Sequence, residues 1–448
     1  MYWFRLFFVV LPILSGLFVS LPVAKAVESN DYIIETVRSG DTLSSIAKRY
    51  GTSWKQVKQL NGQPPSQLVP GQSVIVPGHR LLVRSGDTAW EIALRHGLQL
   101  SQLKKVNPHQ NLTSLQTGTF LNIPQPLRRK IDTGLFFDPS GSSSKDRQTM
   151  SKYRGLISNV GLFHVPVNPN GSLNVRSFGT TTHLIRKQGY QLYPVVTNLT
   201  KKGFDSERMH QILSQSSKRD VLVDSIWHFL KANQFQGVML DIEGLKPKDR
   251  WYFNRFLRQL NVKLHPSGMK IAISIPPKLG HQVPDYSMAY DYPIIGKNAD
   301  QVFIMAYDWH LPKYTGPGPI APYAQVKATM KYASSVIPTK KLYLGIPMYA
   351  YEWESKTTHG KAYSQADALK KGIDHGSVIH FDLKSRSPWF QYQENGQTYT
   401  VWFEDARSLS SKFQLVRSMN WAGMGGWKMN LSFPQGERLL RRQFTIEK

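Results

Sequence analysis

The sequence predicts an α/β protein: a closed (β/α)8 TIM barrel with a small α+β insertion, preceded by two small βααβ modules. Three observations predict it. A stretch near the N-terminus repeats itself 46 residues further on. From about Arg129, apolar strand-like runs alternate eight times with amphipathic helical stretches. Polar side chains collect directly after several of those runs, where barrels of this kind carry their sites.

The chain has 448 residues, enough for two to four domains. With 41% hydrophobic and 19% charged residues it can bury real cores, which excludes a disordered chain. Residues 1–26 have the form of a secretory leader: Arg5, a nearly continuous apolar run over 6–23, and Ala24-Lys25-Ala26 as a small-x-small cleavage site. The alternative is an uncleaved membrane anchor, since an apolar run of about 18 residues approaches spanning length. The polar Glu28-Ser29-Asn30-Asp31 that follows favours cleavage. The absence of cysteine excludes disulfides and Cys-ligated metals. The net charge of +26 is dispersed along the chain. Without a nucleic-acid recognition motif, it points to retention on anionic cell-wall polymers rather than to nucleic acid.

In the repeat, Val37-Arg38-Ser39-Gly40-Asp41-Thr42 recurs as Val83-Arg84-Ser85-Gly86-Asp87-Thr88. The match continues through Ile46/Ile92, Ala47/Ala93, Gly51/Gly97 and Asn61/Asn107, and closes after a one-residue insertion at Pro77/Pro124. Each copy reads strand–helix–helix–strand. Asp41 or Thr42, and Asp87 or Thr88, are placed to cap the first helix, and Thr88 with Glu91 fits a capping box. Leu43, Ile46, Ala47 and Tyr50 form its apolar face, and Trp54, Val57 and Leu60 are expected to face inward from the second helix. Gly51 and Gly97 stand where a helix end needs a left-handed residue.

The barrel strands are read at 133–137, 160–163, 192–196, 237–241, 270–274, 301–305, 341–345 and 423–427, with the insertion at about 350–410. Asn198, Asp241, Glu243, Tyr307, Asp308, Trp309, Tyr349, Trp427 and Lys428 follow or end these runs. Strand side chains alternate with period two, so Asp241 and Glu243 point to one side, toward the barrel mouth. Two carboxylates held together raise each other's pKa, which lets one stay protonated and act as a general acid. By itself the pair is equally readable as a solvated acidic loop; the neighbouring motifs favour the functional reading.

The repeats, at 34–78 and 81–125, resemble LysM modules in their Gly-Asp-Thr opening, their Asn after the second helix and their closing Val/Ile-rich strand ending in Pro. The resemblance implies binding of N-acetylglucosamine-containing glycan in a shallow groove. That groove is lined by Gly40, Asp41 and Thr42 with Asn61 in the first copy, and by Gly86, Asp87 and Thr88 with Asn107 in the second. Tandem weak modules gain by effective concentration. Residues 130–448 form the barrel, which resembles family-18 glycoside hydrolases, in the branch of spore germination and cortical-fragment-lytic enzymes. The residues that carry this are the strand ending Met239-Leu240-Asp241-Ile242-Glu243, then Met305-Ala306-Tyr307-Asp308, then Leu344-Gly345-Ile346-Pro347-Met348-Tyr349-Ala350-Tyr351-Glu352-Trp353, then Gly425-Gly426-Trp427. Ala289-Tyr290-Asp291-Tyr292, Gly316-Pro317-Gly318-Pro319 and Val401-Trp402-Phe403-Glu404-Asp405 resemble the germination branch in particular.

The resemblance implies a substrate-assisted retaining hydrolysis with no metal and no organic cofactor. Glu243 protonates the glycosidic oxygen, Asp241 orients the substrate's 2-acetamido group, Tyr307 holds that group's oxygen, and Asp308 supports the site electrostatically. Trp427 stacks under the sugar; Trp309, Tyr349 and Trp353 are candidate walls, and Asn198 joins the substrate-binding set. The implied partner is peptidoglycan or another N-acetylglucosamine-containing glycan. The protein is expected to be a monomer, secreted to the cell wall or spore envelope, with a membrane role only if the leader is retained.

Two positions depart from the family's acidic strand: Gln236 and Met239 stand where it carries Asp. By parity Met239 lies on the face of Asp241, one layer deeper. Losing a like charge lowers the pKa of Asp241, whereas an apolar neighbour raises it. The working hypothesis is that Asp241 stays ionised toward Glu243 and keeps it protonated. The altered strand keeps open a catalytically weak wall-binding protein, and the LysM resemblance keeps open a chitinase. Residues 354–387 are expected to build one wall of the cleft.

Overall fold

The computed structural model describes residues 31–62, 67–175, 177–280, 284–355 and 360–447; the leader at 1–26 lies outside them. Among the described residues no helix is long and apolar enough to cross a membrane.

Eight parallel strands close into a barrel: Arg129–Phe137, Asn159–Pro166, Gln191–Thr197, Gly237–Asp241, Lys270–Ile275, Gln301–Ile304, Leu342–Pro347 and Gly423–Trp427. Closure is made by the eighth strand against the first, with Gly423 opposite Asp132 and Gly425 opposite Gly134. The first strand begins ahead of its expected start, at Arg129. A late segment, Phe444–Ile446, pairs in parallel with its opening residues, and nothing local in the sequence announces that partner. Inside the barrel Phe136, Tyr193, Val195, Met239, Ala272, Phe303 and Tyr343 form one apolar cluster. Gly425 makes room for it: a Cβ there would lie 2.4 Å from the Phe303 ring. At the opposite end Asp132 accepts hydrogen bonds from Tyr343 (2.6 Å), Asn159 (3.1 Å) and Gln301 (3.2 Å), which seals the barrel floor.

Between the seventh and eighth strands the chain builds a five-stranded antiparallel sheet from Tyr349–Glu354, Gly360–Ser364, His380–Asp382, Ser387–Glu394 and Gln397–Trp402, with a helix at Gln365–Asp374. It has its own core around Phe390, Tyr392, Val401 and Phe403.

The two N-terminal modules take the strand–helix–helix–strand order read from the sequence, but the expected Thr88/Glu91 capping box forms only its Thr88 half. The first pairs Tyr32–Thr36 antiparallel with Ser73–Pro77 around helices Leu43–Arg49 and Trp54–Leu60. The second pairs Arg80–Leu82 with Phe120–Asn122 around Ala89–Arg95 and Leu100–Val106. Thr42 and Thr88, not the aspartates, cap the first helices through the N–H groups of Ser45 and Glu91. Gly51 and Gly97 both take φ +63°. Trp54 departs from its inward expectation: as the first residue of a seven-residue helix it is 43% exposed, and Val57 fills the core instead. Both copies contribute to one core, including Ile33, Ile46, Val57, Ile92, Leu103 and Leu121. The other face of the first module's sheet is buried too: Tyr32, Ile34 and Ile75 join the core that surrounds the barrel.

Candidate active site

The fourth strand ends the way its alternation requires. Val238 and Leu240 pack outward into the layer between strands and helices, and Met239 points into the barrel. Asp241 follows one layer higher and is 4% exposed, and Glu243 is half-buried at the mouth. The backbone beyond the strand is pinned from two sides. The Glu243 N–H donates to Asn198 Oδ1 (3.0 Å) while Asn198 Nδ2 donates to the Glu243 carbonyl (2.8 Å). The Tyr290 hydroxyl donates to the Ile242 carbonyl (2.8 Å). Asn198 is therefore a positioning residue, buried behind the acid.

The sixth strand delivers Tyr307 and Asp308. Tyr307 lies against Gly345, where an added Cβ would come 2.8 Å from its ring. Asp308 sits at φ +60°, a conformation that costs a non-glycine residue roughly 1 kcal/mol or more. Its carboxylate accepts hydrogen bonds from the hydroxyls of Tyr349 and Tyr351, the latter at 2.9 Å. Those two tyrosines alternate on one strand and hold Asp308 in the strained geometry.

Burial pushes the Asp241 carboxyl up to about 7, with the Ser274 hydroxyl on the next strand, short of full hydrogen-bond geometry, opposing the shift. Glu243 is raised well above the usual carboxylate range, first by burial and then by the charges of Asp241 and Asp308. Burial also raises Asp308, against the two tyrosine hydroxyls. Of the two opposing effects at Met239, loss of a like charge and gain of an apolar neighbour, the apolar surroundings dominate at Asp241. The pair can thus hold a proton on Glu243 while Asp241 ionises first.

These residues line a cleft of about 870 Å³. Trp427 forms its floor, held by the rings of Phe136 and Phe163, each 5.1 Å away. Trp309, Tyr349, Tyr351 and Tyr363 form walls, and Phe204, Tyr286 and Tyr314 stand exposed at the rim. Tyr363 belongs to the segment expected to wall the cleft. Lys428 is the only basic residue among the described lining residues, and its Nζ lies 3.0 Å from Asp138. Trp353 does not reach the cleft: it is buried behind Tyr351 and donates its indole N–H to the Thr315 carbonyl (3.0 Å). The alternation along Tyr349–Glu354, the first strand of the inserted sheet, that brings Tyr349 to Asp308 brings Tyr351 as well, so Tyr351 was readable by parity. Lys428 stands just after the eighth strand and Phe136 and Phe163 lie on the first and second, as read from the sequence, whereas Tyr286 and Tyr314 carry no local signal. Among the described residues no group of three or more His, Asp or Glu side chains is arranged to hold a metal ion.

In the modules, the opening loops lie side by side. Asp41 accepts from the Arg38 N–H (2.9 Å), from Arg49, and across the module boundary from Arg84 (2.7 Å). Asp87 accepts from the Arg84 N–H and Arg95, both at 2.8 Å, with Arg38 of the first copy at 3.3 Å. Burial would raise Asp41, but its arginine partners hold it below the ordinary range. Asn61 and Asn107 turn inward: each bonds its own helix end and the closing strand, Asn61 with Ile75 and Asn107 with Asn122. Gly40, Thr42, Gly86 and Thr88 remain exposed.

Comparison with known proteins places these features in a family. The model described as glycosyl hydrolases family 18 matches residues 141–431, and the LysM domain model matches 36–77 and 82–124. The chain is 33% identical over 422 residues to a putative sporulation-specific glycosylase, YdhD, of Bacillus subtilis, covering 93% of this chain and 99% of the relative. It is 32% identical to the cortical fragment-lytic enzyme of the same organism, with the same coverage. The crystal structure of the Bacillus cereus spore cortex-lytic enzyme SleL superposes with a TM-score of 0.83 at 29% identity, over 93% of this chain and 99% of that one.

Proposed function

The chain belongs to glycosyl hydrolase family 18 and carries two LysM domains, and from that premise we propose that it hydrolyses N-acetylglucosaminyl bonds of spore-cortex or other peptidoglycan. The observation that carries the reading is the acid set: Glu243, its carboxyl held well above the usual range by burial and by the charges of Asp241 and Asp308 beside it, over an aromatic floor. With an N-acetylglucosamine on Trp427, Glu243 gives its proton to the glycosidic oxygen as the C1–O bond breaks. The acetamido oxygen of the same sugar bonds to C1, and the ring so formed is cationic. Asp241 stabilises that charge and Tyr307 holds the acetamido oxygen. Water then attacks C1, passes a proton back to Glu243 and reopens the ring, with retained configuration. No metal or organic cofactor takes part in this scheme.

The relatives named for sporulation and cortex lysis support peptidoglycan over chitin. Lys428, paired with Asp138, puts a cation on the cleft lining that suits the carboxylates carried by the peptide stems of peptidoglycan, which chitin lacks. The LysM domains bind the same glycan, and the net charge of +26 adds salt-sensitive retention on anionic wall polymers. The protein acts as a secreted monomer at the cell wall or spore envelope. The catalytically weak alternative rests on Met239, which leaves Glu243 in place with its carboxyl held above the usual range.

The test incubates wild type and Glu243→Gln with purified peptidoglycan, cortex fragments and chitin oligosaccharides and identifies the new reducing ends. New N-acetylglucosamine reducing ends from wild type alone support hydrolysis; identical products from both proteins leave only binding.

A further inference from the structure

The two repeats are nearly equivalent in sequence but differ in what covers them. In the first copy, Asn61 and the described residues 69–73 that lead into the closing strand are held against the barrel domain, and Gly62 touches it. A Cβ on Gly62 would lie 2.1 Å from Pro434, and one on Gly71 would lie 1.7 Å from the Ile379 carbonyl. The Ile379 N–H donates to the Pro70 carbonyl (2.8 Å), Gln435 Nε2 donates to Asn61 Oδ1 (2.9 Å) and to the Ser73 carbonyl (2.9 Å), and Val69 joins the core of the inserted sheet. In the second copy the counterpart of Gly71 is Gly118, which has nothing within 4 Å of its added Cβ. Pro108, His109, Gln110 and Asn111 are exposed.

The second copy docks by its other side. Its inter-helix turn meets the barrel helix Ala406–Ser418, and a Cβ on Gly97 would lie 2.1 Å from the Ser410 carbonyl. The counterpart in the first copy, Gly51, has nothing within 4 Å. The first copy therefore sets the residues leading into its closing strand against the barrel domain and leaves its inter-helix turn open, and the second does the reverse.

We infer that the copies divide their labour: the second alone offers an open groove to N-acetylglucosamine-containing glycan, and the first is the connector that joins it to the barrel. The inference rests on the reading that these domains bind glycan between their two loops. It changes the source of avidity, which then comes from the second copy together with the catalytic cleft rather than from two equal modules.

Hydrogen–deuterium exchange on the full chain tests it. In the free wild type, amides at 67–72 are expected to exchange slowly and those at 108–119 fast. With Glu243→Gln and chitohexaose at about ten times its Kd, amides at 86–90 and 106–119 should slow about tenfold, while 38–43 and 60–62 stay unchanged. Equal protection in both copies overturns the division of labour and leaves glycan binding by the modules intact. Protection at the cleft with none in either copy overturns the glycan-binding reading, and the inference with it.

Discussion

Replacing Asp241 with asparagine separates what this carboxylate does for the reaction from what it costs the fold. The side chain is buried, and its pKa rises from 3.8 to about 7. Keeping it charged in the folded protein then costs on the order of 4 kcal/mol relative to the unfolded chain. Between pH 3.8 and about 7 the native state holds a proton that the unfolded chain has released. This residue's contribution to stability is therefore fully present below pH 3.8, falls as pH rises, and levels off above about 7. The neutral amide of Asp241→Asn carries no such dependence. The variant should be close to wild type in stability at about pH 4 and more stable at about pH 8, by up to about 4 kcal/mol, or several degrees in Tm. Its activity should fall by roughly 10²–10³, because the amide cannot balance the cationic ring. Thermal melts of both proteins from about pH 4 to about pH 8.5, beside initial rates, make the test. A stability gain of the same size at about pH 5 and about pH 8, or a loss at the higher pH, would refute the electrostatic account.

The kcat/KM of the wild type should fall as pH drops below about 7, where Asp241 takes up its proton, and that limb should vanish in the remaining rate of Asp241→Asn; an unchanged profile in the variant counts against an ionised Asp241. Asp308→Asn removes one like charge from beside Glu243, so the alkaline limb should move to lower pH, and a limb that stays in place argues that the two do not interact. Lys428→Met should lower kcat/KM about tenfold on peptidoglycan fragments that carry peptide stems and leave chitooligosaccharides unaffected; an equal loss on both makes the lysine structural. Gly51→Ala and Gly97→Ala impose the same φ +63° strain, but only the second drives a methyl into the Ser410 carbonyl. Gly97→Ala should therefore cost about 1–3 kcal/mol more in denaturant titration, and equal losses would show that the docking seen at Ser410 does not matter in solution.

The sequence by itself determined the repeat, the eight strands and the acid pair. These rest on local periodicities: period two puts Met239 and Asp241 inside the barrel with Glu243 at its mouth, and period 3.6 marks the helices between strands. Parity was also enough to find Tyr351 beside Tyr349. Only the tertiary structure decided the rest. Asn198 grips Glu243 from 45 positions away, and Trp353, on the same strand face as Tyr349, is cut off from the cleft by Tyr351. The start of the first strand depends on a segment at the far end of the chain. The two modules, alike in sequence, diverge because Ile379, Ser410 and Pro434 reach them from the opposite end of the chain. Periodicity records which way a side chain points from its own element; burial, close approach and pKa are set by what the fold brings against it.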